Sequence, residues 1–221
     1  MFYPRTAEAV FLARPNRFVA EVELAGGRET VHVKNTGRCR ELLRPGARVI
    51  LAAGEGKGRK TAWDLVTVEK PGLGWVNIDS QAPNQVVREW LDRGGLPGVT
   101  SVRPEFTYGS SRVDFCLERG GKPCLLEVKG CTLERDGLGW FPDAPTLRGT
   151  KHLRELTAAR LAGWDCVLAY VIALPGVTRV FPNRETDPDF AMALEEAERA
   201  GVEVLHLPCR VGPDSLEIRL P

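Results

Sequence analysis

The chain has 221 residues, 43% hydrophobic and 27% charged, the proportions of a globular protein with room for one large domain or two small ones. No apolar run approaches the roughly 20 residues that cross a bilayer, and Met1 to Arg14 carries no signal-peptide pattern, so a cytoplasmic location without a membrane partner is expected. The net charge of +1 excludes a strongly polybasic or polyacidic chain, but residues 1–80 hold 13 Lys and Arg against 9 Asp and Glu, whereas residues 81–221 hold 17 against 20.

Residues 1–80 read as short strands rich in Val, Phe, Leu and Trp: Ala9 to Arg14, Phe18 to Leu24, Thr30 to Val33, Val49 to Ala53, Trp63 to Glu69 and Trp75 to Ile78. Turn signals such as Pro15-Asn16, Gly26-Gly27 and Pro45-Gly46 separate them. Strands at this spacing predict a small OB-like β-barrel, and a small sandwich fits the same periodicity. Lys34, Arg38, Arg40, Arg44 and Arg48 are opposed only by Glu41, with Lys57, Arg59 and Lys60 nearby, a local patch suited to phosphates. Lys34, Asn35, Arg38 and Arg40 are the candidate nucleic-acid contacts here, because Asn35-Thr36-Gly37 is a turn that presents them together. Gly37 itself is explained by the tight turn, and Phe18, Trp63 and Trp75 are assigned to the core in preference to base stacking.

From Gln81 the apolar spacing becomes helical. Val86, Val87, Trp90 and Leu91 predict a helix over Ala82 to Asp92. The strands Glu105 to Tyr108, Arg112 to Leu117 and Pro123 to Val128 follow, joined at Gly109-Ser110 and Gly120-Gly121. A second helix, with Leu153, Leu156 and Leu161 facing inward, stops at Gly163; Cys166 to Ala173 reads as a buried strand, Phe190 to Ala200 as a third helix and Val202 to Leu207 as a last strand. This order predicts an α/β unit with a mixed sheet over residues 81–221, after a barrel over residues 1–80.

The chemistry concentrates on two strands of that unit. Glu127 and Lys129 are two apart and share a strand face, and hairpin pairing brings Asp114 beside them. A lone Glu-x-Lys is usually a surface ion pair worth about 0–1 kcal/mol. Here both carboxylates sit among apolar residues, and two such groups side by side repel unless a cation lies between them. Asp114, Glu127 and the backbone carbonyl of Val128 are therefore the candidate ligands of a hard cation, Mg2+ or Mn2+. Lys129 is placed to orient a water or to stabilise charge on a phosphate. His32, His152 and His206 are too scattered for a His-based zinc site, and the six cysteines form no CxxC pair and read as reduced thiols. The second helix holds Arg148, Lys151, His152, Arg154 and Arg160 against Glu155 alone. Lys151 and Arg154, three apart, share a face and are its candidate phosphate contacts, on the same side as the carboxylates.

Pro15-Asn16-Arg17-Phe18, Asn35-Thr36-Gly37, Tyr108-Gly109, Arg112-Val113-Asp114-Phe115, Glu127-Val128-Lys129, Phe141-Pro142-Asp143-Ala144, Arg148-Gly149 and Lys151-His152-Leu153-Arg154-Glu155-Leu156 together resemble the bacterial and archaeal sugar fermentation stimulation protein A family. The resemblance implies a DNA-binding protein without clear sequence preference, with an OB-like amino-terminal domain and a carboxy-terminal domain similar to the PD-(D/E)xK nucleases. It places the D…ExK signature on Asp114, Glu127 and Lys129. An acidic ligand on the first core helix would fall on Glu89, with Glu105 as competitor, and Val113 replaces the proline that names the motif. The expected function is a Mg2+- or Mn2+-dependent nuclease acting on DNA, with RNA the second substrate class. The alternative is a non-catalytic, sequence-nonspecific DNA-binding regulator linked to sugar metabolism, and a smaller possibility is an enzyme acting on phosphorylated sugars.

Overall fold

Alternation decides the amino-terminal half. In a strand every second side chain faces inward, and this puts Ala20, Val22, Val31, Val33, Val49, Leu51, Leu65 and Val68 in one buried cluster. The computed structural model describes residues 1–35, 37–54, 56 and 58–219, so Thr36 of the Asn35-Thr36-Gly37 turn and Lys57 of the basic patch lie outside the described residues. Six strands come first: β1 (Thr6–Asn16), β2 (Val19–Leu24), β3 (Gly27–Val33), β4 (Arg48–Ala53), β5 (Trp63–Lys70) and β6 (Gly74–Asn77). β1 pairs antiparallel with β2 and β4, β2 with β3, and β4 with β5. A short parallel pairing, His32 with Asp64 and Val33 with Leu65, then joins β3 to β5 and closes the ring. An OB-type barrel results, not the sandwich; β6 extends β5 beyond the point where β3 leaves its edge.

The second half is a mixed sheet with helices on both faces. Helix α1 (Ala82–Asp92) is followed by β7 (Val99–Tyr108), β8 (Ser111–Arg119) and β9 (Lys122–Cys131), then by β10 (Leu133–Arg135), β11 (Leu138–Phe141), α2 (Leu147–Leu161), β12 (Asp165–Ile172), β13 (Val180–Pro182), α3 (Pro188–Ala200), β14 (Glu203–Val211) and β15 (Leu216–Ile218). The main sheet runs β15-β14-β12-β9-β8-β7, antiparallel at its edges and parallel where β12 lies between β9 and β14. Leu126 and Val128 of β9 pack with Val86, Val87 and Trp90 of α1, while Leu125 packs with Leu153 and Leu156 of α2. This α-β-β-β-α-β order with a central ExK strand is the PD-(D/E)xK nuclease-like fold.

Helix α2 starts where Thr146 accepts a hydrogen bond from the Gly149 N–H at 3.0 Å, and α3 where Asp187 accepts from the Phe190 N–H at 2.9 Å, side-chain caps of the usual kind. Leu161, expected to face inward, is 76% exposed because it falls at the last turn, past the end of the sheet-facing stripe. Short β10, β11 and β13 form a separate three-stranded sheet whose brevity leaves no periodicity to read. All six cysteines are buried and free. No helix among the described residues is long and apolar enough to cross a membrane.

One glycine lets the halves approach, and a second lets α1 sit close on β9. A Cβ on Gly37 would stand 2.7 Å from Asp143 Oδ2, and one on Gly130 2.8 Å from Pro83 Cγ. Gly37 does not take a positive φ, so close approach, not turn conformation, explains it. Lys70 of β5 also reaches Glu134 of β10 at 2.5 Å. Its hydrogen bond holds the Glu134 carboxyl below the ordinary value of 4.5, with the Gly137 N–H assisting. A carboxyl lowered in the folded state stabilises above its unfolded value and stops doing so as the pH falls through its folded value. The wild type should therefore exceed Glu134→Gln in urea midpoint at neutral pH, and the difference should close on acidification. A difference independent of pH rules out this ion pair as its source.

Candidate functional site

The β8–β9 ladder runs from Arg119 opposite Lys122 to Phe115 opposite Leu126 and stops there. The next positions in register are Asp114 and Glu127. With the ladder ended, the Val128 N–H donates to Asp114 Oδ2 at 2.7 Å, and Asn84 at the start of α1 donates its side-chain amide to Asp114 Oδ1 at 2.7 Å. In an extended strand one residue's N–H and C=O project to the same side, so the Val128 carbonyl also faces the Asp114 side.

Glu127 is only 2% exposed. One of its oxygens, Oε1, accepts from Lys129 Nζ at 2.5 Å and from His152 Nδ1 of α2. The other, Oε2, is buried with no hydrogen-bond partner among the described residues. Arg148 Nε lies 3.4 Å from His152 Nε2, so an i,i+4 pair on α2 backs the carboxylate from behind.

Burial pushes the Asp114 carboxyl up and the neighbouring Glu127 charge adds to this, while the Val128 N–H and Asn84 work against it. Burial also pushes Glu127 up, but the His152 hydrogen bond and the Lys129 charge outweigh it and hold Glu127 below the usual range. Two adjacent carboxyls are thus displaced in opposite directions, as happens where like charges share a site.

These groups fit a hard divalent cation. Glu127 Oε2 is a buried oxygen in need of a partner, a second desolvated carboxylate stands beside it, and a backbone carbonyl faces the same space. Among the described residues no cluster of three or more His, Cys, Asp or Glu suited to a metal occurs. The donor set accordingly suits a cation that keeps several waters, as Mg2+ does.

The structure brings together Asp114, Glu127, Val128 and Lys129, and it separates the other candidates. Glu89 accepts from the Met1 amino group at 2.7 Å and from Gln85. It lies five residues past Asn84, about 140° round the helix, so the side chain that α1 offers Asp114 is an amide and not an acid. Glu105 is exposed on β7 against Arg112, 3.5 Å away. Lys34 is paired with buried Asp79 at 3.0 Å. Asn35 donates to the Ile78 carbonyl at 2.8 Å and accepts from the Gly37 N–H at 2.6 Å, so its polar atoms organise the loop. Arg14 clamps the same loop through the carbonyls of Asn35, Gly37 and Arg38, leaving Arg38 and Arg40 exposed.

On α2 the residues near the carboxylates are Arg148 and His152. Lys151 pairs with Glu155 at 3.6 Å and, with Arg154, borders a cavity beside Asp187 and Asp189; Arg154 lies about 200° round from His152. The expectation that Lys151 and Arg154 share the carboxylate side is corrected, because the buried face that packs α2 on the sheet carries His152. Sequence reading missed Asn84, Arg148 and His152 as partners. The i,i+4 spacing of Arg148 and His152 was the available signal, and Asn84 had none without the tertiary contact.

An OB barrel joined to a nuclease-like sheet, with an Asp–Glu–Lys cluster where the central hairpin opens, defines a PD-(D/E)xK-type architecture. The chain belongs to the sugar fermentation stimulation protein family. The family description "SfsA N-terminal OB domain" matches residues 12–78 and "Sugar fermentation stimulation protein RE domain" matches residues 81–215. A sugar fermentation stimulation protein homolog of Desulfitobacterium hafniense is 47% identical over 217 residues, covering 98% of this chain and 95% of that one. Another, of Clostridium beijerinckii, is 44% identical over 220 residues, covering 99% and 97%. The solved structure of Pyrococcus furiosus SfsA in complex with Ca2+ superposes with a TM-score of 0.91 at 28% identity, covering 99% of this chain and 95% of that one.

The two donors on Glu127 make a local prediction. A hydrogen bond to a charged group contributes about 1.5–3 kcal/mol, so His152→Ala should lower the unfolding free energy from urea titration by that order. His152→Asn, whose amide nitrogen reaches the place of Nδ1, should recover most of the loss. If Asn recovers nothing, His152 acts by filling volume and not by holding Glu127.

Proposed function

We propose that this protein is a divalent-metal-dependent nuclease that hydrolyses phosphodiester bonds of DNA. The observation that carries the reading is Glu127 Oε2, buried and without a hydrogen-bond partner among the described residues, beside desolvated Asp114. A buried carboxylate oxygen left without a partner is costly unless a cation completes it, and the Ca2+ complex of the Pyrococcus furiosus relative supports divalent binding here. Asp114, Glu127 and the Val128 carbonyl would hold Mg2+ or Mn2+. The cation supplies Lewis-acid polarisation of a phosphoryl oxygen and an acidified water.

The chain's own groups supply the rest. Asn84 and the Val128 N–H fix the Asp114 carboxylate. His152 fixes Glu127, leaving Oε2 directed away from its protein donors. Lys129, a fixed positive charge beside the pair, stabilises negative charge developing on the phosphate oxygens. Arg38 and Arg40, exposed on the loop that Arg14 braces, meet the DNA backbone. The amide of Asn84 at the first-helix position favours a second reading, a DNA-binding protein of this architecture that does not cut, and cleavage assays separate the two.

Metal binding is read first as stabilisation. A ligand at a hundred times its Kd stabilises by about 2.7 kcal/mol, which in a chain of this size raises Tm by roughly 5–10 °C. Mg2+, Mn2+ or Ca2+ should produce such a shift in the wild type and none in Asp114→Asn or Glu127→Gln. Labelled DNA should be cut with Mg2+ or Mn2+ and left intact with chelator, with Lys129→Ala slower by about 10²–10³-fold. Cutting that persists in all three variants would refute the assignment.

A further inference from the structure

Phe18 contradicts its expected place in the core. It is 45% exposed at the turn between β1 and β2, where its N–H donates to Asn16 Oδ1 at 2.9 Å. The Arg17 guanidinium stands 4.7 Å from the ring centroid, covering one face. The ring borders a cavity of about 650 Å3 whose walls include His32 of β3, Lys34 just after it, Arg59 of the β4–β5 connection, and Gln81 and Gln85 of the α1 segment.

A second cavity, of about 330 Å3, lies between the barrel and the nuclease-like sheet, with Pro83 and Gly130 in its wall. Both cavities are bordered by Asn35, Asp79 and Ser80, so they meet along one rim. Pro83 and Gly130 are the chain neighbours of Asn84 and Lys129. The two cavities thus adjoin along the Asn35–Ser80 rim, and the second is walled by the chain neighbours of two residues of the carboxylate site.

We propose that together they form a groove that takes a single-stranded segment of nucleic acid, with one base stacked on Phe18 and the strand crossing the Asn35–Ser80 rim toward Asp114 and Glu127. The destination rests on the nuclease reading above; the binding does not. A cavity in the range of about 300–1,000 Å3 is of the small-ligand class, large enough for one or two splayed nucleotides. A duplex, whose major groove alone is about 12 Å wide, has to fray to enter.

Wall chemistry agrees with bases better than with phosphates. Lys34 is matched by Asp79 at 3.0 Å, and His32 and Arg59 both reach Asp64. Lys34, His32 and Arg59 thus each meet a carboxylate, and Asn35, Ser80, Gln81 and Gln85 add neutral donors and acceptors of the kind base edges need. An exposed ring with one face open is the sequence-tolerant platform on which single strands stack.

Fluorescence anisotropy with labelled oligo(dT), oligo(U) and a blunt-ended hairpin duplex, in Ca2+, tests this on wild type, Phe18→Ala and Phe18→Tyr. We expect the single strands to bind at least about tenfold tighter than the duplex. Phe18→Ala should weaken them by about ten- to a hundredfold, the loss of one base–aromatic stack. Phe18→Tyr should retain them, and duplex affinity should be the same in all three proteins. The preferred oligonucleotide tells DNA from RNA. Duplex binding as tight as single-strand binding, or single-strand binding indifferent to Phe18→Ala, overturns the proposal. A protein that binds oligo(dT) through Phe18 yet never cuts it keeps this inference and loses the nuclease reading, and one that cuts regardless of Phe18 does the reverse.

Discussion

A glutamate placed on the buried face of a central strand is an electrostatic problem that the surrounding structure has to solve. Glu127 is nearly inaccessible and remains ionised because Lys129 and His152 both donate to one of its oxygens. Those donors come from different elements, so the position of α2 over the sheet is set partly by a polar contact as well as by Leu153 and Leu156. The remaining oxygen has no hydrogen-bond partner among the described residues, and the neighbouring Asp114 carboxylate has its own ionisation opposed by burial. Every feature proposed for the site follows from that unequal division of Glu127's two oxygens.

The opening of the β8–β9 ladder belongs to the same design. Had the pairing continued past Phe115 and Leu126, the Val128 N–H and C=O would face a neighbouring strand. Because it stops, Asp114 takes the N–H and the carbonyl is turned to the same space. Asn84 completes the cage from the start of α1. Strand separation at this point turns an ordinary hairpin into a cradle of oxygen atoms.

The barrel's contribution is positional. Gly37 against Asp143 brings the two halves into direct contact, and Lys70 on Glu134 ties β5 to β10. Arg14 then stiffens the loop that carries Arg38 and Arg40. These seams set the course of the groove proposed to connect Phe18 with the carboxylates, which no single strand or helix contains.

Much of this was legible in residues alone, because local periodicity is a local property. Alternating apolar residues marked the six amino-terminal strands, helical spacing marked α1, and the i, i+2 relation put Glu127 and Lys129 on one face. The resemblance carried by Arg112-Val113-Asp114-Phe115 and Glu127-Val128-Lys129 pointed to the family. Long-range decisions were not legible. A two-residue parallel pairing of His32 and Val33 with Asp64 and Leu65 chose barrel over sandwich, and the rotation of α2 chose His152 over Arg154 as the residue near the carboxylates. Asn84, not Glu89, reaches Asp114, and Asn35 and Lys34 turn inward, because a side chain's partners depend on which distant element packs beside it. The sequence by itself determined which residues can ionise, alternate and turn; the tertiary structure decided which of them meet, since burial and hydrogen bonding are properties of neighbours far along the chain.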